Sequence, residues 1–129
     1  MSSVGAGRVP VLVADDHPLF RGALVAFLAV RDEIEVVGEA RNGEEAVRMA
    51  LELHPRVVVM DVQMPGIDGV EATRRILHAA PGTRIVILTG GSNDGLAEAA
   101  MRAGAVAYVL KDREPDEIFE AILTATATW

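Results

Sequence analysis

Three aspartates stand directly after two apolar stretches of the sequence, where they could work together as a metal site. Asp15 and Asp16 follow the run VPVLVA, and Asp61 follows VVVM. If both runs are strands of one parallel sheet, their carboxyl ends lie at the same edge, and the three carboxylates meet there. Without a cation, each close pair would repel by roughly 4 kcal/mol at a separation of about 4 Å and an effective dielectric of about 20. A divalent cation removes this repulsion, and hard oxygen ligands favour Mg²⁺.

Polar residues after two further apolar runs could hold a phosphoryl group. Thr89 follows IVIL and offers a hydroxyl group, and Gly90 leaves the backbone N–H after it approachable. Lys111 follows AYVL and is the single lysine among the 12 lysine and arginine residues of the chain. Its compact ammonium on a flexible stem can pair with a carboxylate and then turn to a phosphoryl oxygen, which a planar guanidinium is less free to do. Together with the metal, these groups suit a phosphoryl group carried on one of the carboxylates.

Alternating segments of two kinds predict the elements that would position these residues. Short apolar runs predict five strands, over Val9–Ala14, Ile34–Ala40, Val57–Met60, Ile85–Leu88 and Val106–Leu110. Helical periodicity with Pro and Gly at the boundaries predicts five helices, over Pro18–Val30, from Asn42-Gly43 to Leu53, Glu71–Ala79, Leu96–Ala103 and from Pro115 to about Thr124. This alternation is typical of an α/β fold, a doubly wound, five-stranded parallel sheet with helices on both faces.

Composition limits the classes of protein and partner. At 129 residues the chain fits one domain, which we expect over residues 8–129 after a flexible leader at 1–7. The net charge of −7 argues against nucleic acid as a direct partner. The sequence has no cysteine, no apolar run that could span a membrane and no signal pattern at its start, so a cytoplasmic location without membrane contact is expected.

The family resemblance lies in five stretches and runs from Val9 to about Leu123. They are VLVADDHPLFRGAL, GEARNGEEAV, PRVVVMDVQMPGIDGVEATRRI, TRIVILTGG and AMRAGAVAYVLKD. With these stretches the sequence resembles a response-regulator receiver domain, most closely of the NarL/FixJ subfamily, whose output domain is a DNA-binding helix-turn-helix. The resemblance implies a flavodoxin-like sheet with the strand order 2-1-3-4-5.

The resemblance also implies a role for each residue of the candidate site. Asp61 matches the phosphoacceptor, which receives its phosphoryl group from the phosphohistidine of a sensor histidine kinase. Asp15 and Asp16 match the acidic pair that binds Mg²⁺, and Asp61 and the backbone carbonyl of Gln63 would complete the protein's share of the coordination. Lys111 matches the lysine that contacts the phosphate. The chain would then be a signalling phosphoacceptor and not a metabolic enzyme.

Two further residues match the parts of a receiver that respond to phosphorylation. Thr89 matches the switch threonine, which moves toward the phosphate, and Tyr108 matches the switch aromatic residue, which turns inward as it does so. This change would reshape the surface formed by the fourth helix, the fifth strand and the fifth helix, and we expect a homodimer on phosphorylation. DNA would be reached only through a C-terminal helix-turn-helix domain, which we expect to be absent from this chain because the sequence ends at Trp129.

Three other functions compete with a phosphorylated receiver. A phosphatase or hydrolase with an aspartyl-phosphate intermediate would place a second acid two residues after its nucleophile, whereas Gln63 stands there and cannot shuttle a proton. A nucleotide-binding domain would need a glycine-rich loop after the first strand, where the sequence gives ADDHPLF. The third is a degenerate receiver that works without phosphate, and the complete set of site residues argues against it.

Two residues beside the site receive structural interpretations. His17 follows two acids, but the sequence around it offers neither a second histidine nor a cysteine, and we interpret it as a residue that starts the first helix. Asp112 follows Lys111, where many receivers have a proline after a cis bond, so a trans peptide is expected here.

Overall fold

The computed structural model of the protein describes residues 7–91 and 95–127, in which strands and helices alternate. The strands are β1 (Val9–Ala14), β2 (Ile34–Ala40), β3 (Val57–Asp61), β4 (Arg84–Thr89) and β5 (Ala107–Leu110). The helices are α1 (Pro18–Ala29), α2 (Gly43–Leu53), α3 (Gly69–Ala79), α4 (Leu96–Arg102) and α5 (Pro115–Ala127). The leader predicted at residues 1–7 lies outside the described residues except for Gly7. None of the described helices is long and apolar enough to cross a membrane.

The five strands form one parallel sheet with the order β2-β1-β3-β4-β5, which confirms the predicted fold class and strand order. Its register fixes which residues share the carboxyl edge. Ala14 of β1 pairs with Met60 of β3, and Asp61 pairs with Leu88 of β4. Thr89 pairs in turn with Leu110 of β5. The residues that follow these strands therefore meet at one edge of the sheet.

Alternate residues of the central strands pack against helices on opposite faces of the sheet. On one face, Leu12, Val58 and Ile87 lie in a core that is completed by α2, α3 and α4. On the other face, Val13 and Val59 lie in a second core that is completed by α1 and α5. Both sides of β3 are buried, which is why its sequence VVVM is apolar without alternation. The packing on both faces of β3 therefore holds the residues at its carboxyl end in position.

Several element boundaries differ from the sequence prediction by a few residues. Strand β3 includes Asp61 and β4 includes Thr89, because register with neighbouring strands continues through these polar residues. Helix α3 begins at Gly69 and not at Glu71, because the side chain of Asp68 caps it by accepting the Glu71 N–H at 2.9 Å. The first helix ends at Ala29, one residue earlier than predicted, and α5 continues to Ala127.

Candidate functional site

Three polar side chains at the carboxyl edge of the sheet are almost completely withdrawn from solvent. Asp15 is fully buried, Asp61 is 3% exposed and Thr89 is 1% exposed. Burial of a carboxylate is costly unless hydrogen bonds or opposite charges compensate it. The partners of these side chains therefore define the site.

Asp15 is held from both of its carboxylate oxygens. Its Oδ1 accepts the backbone N–H of His17 at 2.8 Å, and its Oδ2 lies 2.8 Å from Nζ of Lys111. The Arg21 guanidinium donates to the backbone carbonyl of Asp15 at 2.7 Å and pairs with Glu39 at 3.1 Å. These contacts fix the position of Asp15 as the chain leaves β1.

Asp61 also has a partner on each oxygen. Its Oδ1 accepts the backbone N–H of Gln63 at 3.1 Å, and its Oδ2 accepts a hydrogen bond from Lys111 Nζ at 3.3 Å. Burial raises the pKa of the Asp61 carboxyl group above its ordinary value. The Gln63 N–H and the Lys111 charge lower this pKa and the Asp15 charge raises it, but burial prevails. Burial thus destabilises the ionised form of Asp61 relative to the protonated form. Binding of a group that neutralises its charge is therefore favourable.

Lys111 joins the two aspartates across the edge of the sheet. Its side chain is 16% exposed, and its Nζ lies 2.8 Å from Asp15 and 3.3 Å from Asp61. Burial alone would lower the pKa of this ammonium group, but the hydrogen bonds and charges of both aspartates raise it above its ordinary value. The Phe20 ring, with its centroid 4.4 Å from Nζ, adds a cation–π contact. The peptide bond from Lys111 to Asp112 is trans, as the sequence predicted.

Asp16 adds a third carboxylate to the pocket. Its Oδ1 is buried and has no hydrogen-bond partner within the part of the chain that the structure describes. The ligand atoms of Asp15, Asp16, His17 and Asp61 all lie within 4.8 Å of one another. A buried carboxylate oxygen without a donor, beside two further carboxylates, fits a hard divalent cation such as Mg²⁺.

His17 begins α1, as the sequence predicted, but its ring also reaches the acidic pocket. Pro18 occupies the first position of the helix. His17 is the N-cap residue, and its backbone is extended, as is usual for a residue that precedes a proline. Its Nδ1 lies 3.1 Å from Asp15, 3.3 Å from Asp16 and 3.8 Å from Asp61. Sequence reasoning missed this contact, although the adjacency of His17 to two acids was a signal that could have found it.

Three residues of the predicted set, Thr89, Gln63 and Tyr108, have surroundings that differ from those of the acidic pocket. Oγ1 of Thr89 accepts the backbone N–H of Gly91 at 3.2 Å, across the exposed Gly90. Gln63 is exposed, and its backbone N–H is the group that contacts Asp61. Tyr108 lies on β5 and is 47% exposed, so its side chain is turned outward. The structure thus gathers ligand atoms of Asp15, Asp16 and Asp61 within 4.8 Å of one another, pairs Lys111 with Asp15 and Asp61, and leaves Tyr108 at the surface.

Comparison with known proteins gives a family and several close relatives. The model of the response regulator receiver domain family matches residues 11–123. The transcriptional regulatory protein LiaR of Bacillus subtilis is 42% identical over 118 residues, which are 92% of this chain and 56% of LiaR. The chain therefore spans about half the length of the curated relatives it matches.

Solved structures agree with this match. The signal receiver domain of the response regulator NarL from Mycobacterium tuberculosis is 32% identical, with a TM-score of 0.88, over 95% of this chain and 98% of that one. The receiver domain of RcsB from Salmonella enterica serovar Typhimurium, solved in the presence of phosphomimetic BeF₃⁻, is 25% identical with a TM-score of 0.83, over 94% of this chain and 90% of that one.

Proposed function

This chain belongs to the response regulator receiver domain family, and from that premise we propose that Asp61 accepts a phosphoryl group from the phosphohistidine of a sensor histidine kinase. The observation that carries the proposal is the state of Asp61. It is a buried carboxylate whose pKa burial raises, held between a backbone N–H and an ammonium group and beside two further acids. Such a carboxylate is fixed in position as a nucleophile, beside an ammonium group and a cation site that can take up the added charge of the phosphoryl group.

The transfer exchanges one bond to phosphorus for another. A carboxylate oxygen of Asp61 forms the new P–O bond while the P–N bond to the donor imidazole breaks, and the released imidazole takes up a proton. Lys111 stays beside Asp61 and offers its N–H groups to the oxygens of the transferred group. Asp15, Asp16, Asp61 and the backbone carbonyl of Gln63 would hold Mg²⁺, which neutralises carboxylate and phosphoryl charge when it is bound.

Thr89 and Tyr108 support a switch that follows the transfer. Thr89 is buried at the same edge, and its Oγ1 accepts the Gly91 N–H, which leaves its own O–H as the group that would donate to a phosphoryl oxygen. Tyr108 is exposed on β5, from which it can turn inward. We infer that this change reshapes the surface of α4, β5 and α5 and leads to a homodimer. The RcsB receiver solved with phosphomimetic BeF₃⁻ supports a phosphorylated state for relatives of this fold.

The output of the switch belongs to the whole protein. LiaR of Bacillus subtilis is a transcriptional regulatory protein, and this chain spans about half of its length. We propose that the protein acts in the cytoplasm and that this chain controls transcription through a DNA-binding helix-turn-helix domain that lies outside its sequence. The acidic chain itself would not contact DNA, since its net charge of −7 opposes binding to phosphates.

Hydrolysis of external phosphate esters is the competing function, and Gln63 argues against it. An aspartyl-phosphate hydrolase needs an acid that protonates the leaving group, and the amide two residues after Asp61 cannot do this. We therefore propose that the chain phosphorylates and dephosphorylates only itself and is not an enzyme for other substrates.

The test is phosphorylation by a small donor. The protein is incubated with Mg²⁺ and acetyl phosphate, and its intact mass is measured. We expect one phosphate adduct, which requires Mg²⁺ and is absent from Asp61→Asn but present in Asp112→Asn, an exposed control. No adduct on the wild type would support a receiver that works without phosphate, and an adduct on Asp61→Asn would place the acceptor elsewhere. Many turnovers of p-nitrophenyl phosphate per protein molecule would favour the hydrolase.

A further inference from the structure

The imidazole ring of His17 takes no part in the proposed phosphoryl transfer, yet it lies over the acidic pocket. Its Nδ1 is 3.1 Å from Oδ1 of Asp15 and 3.3 Å from Oδ1 of Asp16. It is 3.8 Å from Oδ2 of Asp61. The nitrogen therefore faces all three carboxylates, although the side chain is 65% exposed and could have pointed into solvent.

These distances match the spacing of ligands around one cation. Ligand atoms bound at about 2.1 Å lie about 3.0 Å apart at a right angle and about 3.4 Å apart at a tetrahedral angle. The separations of 3.1 Å and 3.3 Å between Nδ1 and the oxygens of Asp15 and Asp16 fall in this range. The Asp16 oxygen is also the buried one that lacks a hydrogen-bond partner within the described residues. All the ligand atoms of the pocket lie within 4.8 Å of one another, so some contraction of the pocket would bring them around one ion.

The chain itself holds His17 in this position. The backbone N–H of His17 donates to Asp15 at 2.8 Å, and Pro18 begins α1 immediately afterwards, so the residue cannot move far from the pocket. With its hydrogen on Nδ1, the ring can donate to Asp15 Oδ1 at 3.1 Å. With the hydrogen on Nε2, the lone pair of Nδ1 can accept a hydrogen bond from Lys111 Nζ at 3.3 Å. Lys111 also pairs with Asp15 and Asp61 and so can release the ring. The same lone pair is then available to a cation.

We propose that His17 is a nitrogen ligand of the acidic pocket, through which the pocket binds transition cations such as Co²⁺ and Zn²⁺ in a mixed nitrogen and oxygen site. Carboxylates alone suit Mg²⁺, whereas imidazole selects zinc and its neighbours in the transition series. The pocket would thus discriminate between cations. With Mg²⁺ the ring stays free, and with a transition cation it is held beside Asp61. The identity of the bound cation would then influence the site in addition to phosphorylation.

The experiment measures metal binding to the full chain and does not involve phosphate. Metal-free protein is titrated with Co²⁺, Zn²⁺ and Mg²⁺ by calorimetry, and the visible absorption of Co²⁺ reports its ligands. In His17→Ala we expect the affinity for Co²⁺ and Zn²⁺ to fall by at least the roughly tenfold that loss of even an outer partner costs. The Mg²⁺ affinity should change much less, and the Co²⁺ absorption should lose intensity and shift.

Two further variants separate the pocket from other causes. His78→Ala removes an exposed histidine near the end of α3 and should leave the Co²⁺ absorption of the wild type unchanged. His17→Asn keeps a residue type that can start a helix and should reproduce the loss seen in His17→Ala. Equal Co²⁺ and Zn²⁺ affinities in the wild type and both His17 variants would overturn the proposal, as would an equal loss of Mg²⁺ affinity.

The outcome is independent of the phosphoacceptor proposal. A failure of His17 as a ligand leaves the acetyl phosphate result untouched, because Asp15, Asp16 and Asp61 are present in all of these variants. Conversely, a chain that takes up no phosphate can still show the His17-dependent Co²⁺ absorption.

Discussion

The contacts of Lys111 depend on its being a lysine and not an arginine. Its Nζ lies between Asp15 and Asp61, which are 46 positions apart in the sequence, and it has the Phe20 ring on another side. A single ammonium can turn from one oxygen to another without moving its neighbours. A guanidinium would fill the same space with a rigid fork that pairs well with two carboxylates at once.

We therefore expect Lys111→Arg to separate phosphorylation from its consequence. The variant should reach the wild-type extent of phosphorylation by acetyl phosphate, since the pocket keeps its positive charge. Its dimerisation should weaken by about tenfold or more, the effect of one lost charge-assisted hydrogen bond of about 1.5–3 kcal/mol. Intact mass and light scattering measure the two quantities, and Arg48→Lys, an exchange on an exposed part of α2, is the control. Wild-type dimerisation of Lys111→Arg would contradict this prediction.

Asp61 makes the stability of the protein depend on pH in a definite direction. Because burial raises its pKa in the folded state, its ionisation disfavours folding. The cost is absent below the ordinary pKa of an aspartate, grows as the pH rises to the raised pKa of the folded state, and is complete above it. We expect Asp61→Asn to unfold at a higher temperature than the wild type at pH 7 in the absence of divalent cations. The difference should shrink as the pH falls through this window.

Thermal unfolding of both proteins at several pH values measures this effect, with Asp112→Asn as an exposed control that should match the wild type. A wild type more stable than Asp61→Asn at neutral pH would show that Lys111 outweighs burial at this carboxylate.

The existence of the elements could be read from the sequence, but the contacts of particular side chains could not. Apolar runs predict strands because a strand that is buried on both faces must be apolar throughout. The meeting of Asp15, Asp61 and Lys111 follows from the same rule, since parallel strands present their carboxyl ends at one edge. His17 was predicted correctly as a residue that starts a helix, but the direction of its ring depends on a rotamer, for which its adjacency to two acids was the available signal. Asp61 was placed beyond its strand because pattern rules end strands at polar residues, whereas register carries β3 through it.

At the level of elements, the loop from β3 to α3 connects the site to a helix cap. The N–H of Gly69 donates to the carbonyl of Val62 at 2.8 Å, and the side chain of Asp68 caps α3. A methyl group on Gly69 would lie 2.7 Å from the carbonyl oxygen of Asp61, so helix and site residue are in direct contact. The first turn of α3 therefore supports the position of Asp61.

The contact between the start of α3 and Asp61 predicts that mutations in two similar helix caps have different effects on the site. Asn42 caps α2 by accepting the Glu45 N–H at 2.8 Å, as Asp68 does for α3. Asn42→Ala and Asp68→Ala should each lower the free energy of unfolding by about 1 kcal/mol. Only Asp68→Ala should also slow phosphorylation by acetyl phosphate, because only its helix begins beside Asp61. Denaturant unfolding and timed intact-mass measurements test this, and an equal slowing in Asn42→Ala would mean that general loosening is the cause.

For the whole molecule, phosphorylation should change the number of chains in a particle. We expect the protein to be monomeric without a phosphodonor and dimeric with Mg²⁺ and BeF₃⁻ or acetyl phosphate. Tyr108→Ala should lower the association constant by at least about tenfold, or 1.4 kcal/mol, without preventing phosphorylation. Tyr108→Phe keeps the ring and should stay close to the wild type. Light scattering after gel filtration measures the mass, and a Tyr108→Ala dimer of wild-type strength would remove Tyr108 from the switch.

Net charge adds a condition to this association. Each chain carries a charge of −7, so two chains repel at low ionic strength. Added salt should therefore strengthen the dimer if apolar contacts hold it together.

The order of the strands leaves β2 and β5 as the two edges of the sheet, and open edges invite aggregation. Strand β5 is only four residues long, which limits the backbone that another chain could pair with. Strand β2 is longer, but Glu35 and Glu39 are exposed on it, and Glu39 is tied to Arg21. Negative charges on an edge strand repel the same strand of a second copy. The shortness of β5 and the negative charge on β2 therefore protect the protein from polymerising into fibrils along the edges of its sheet.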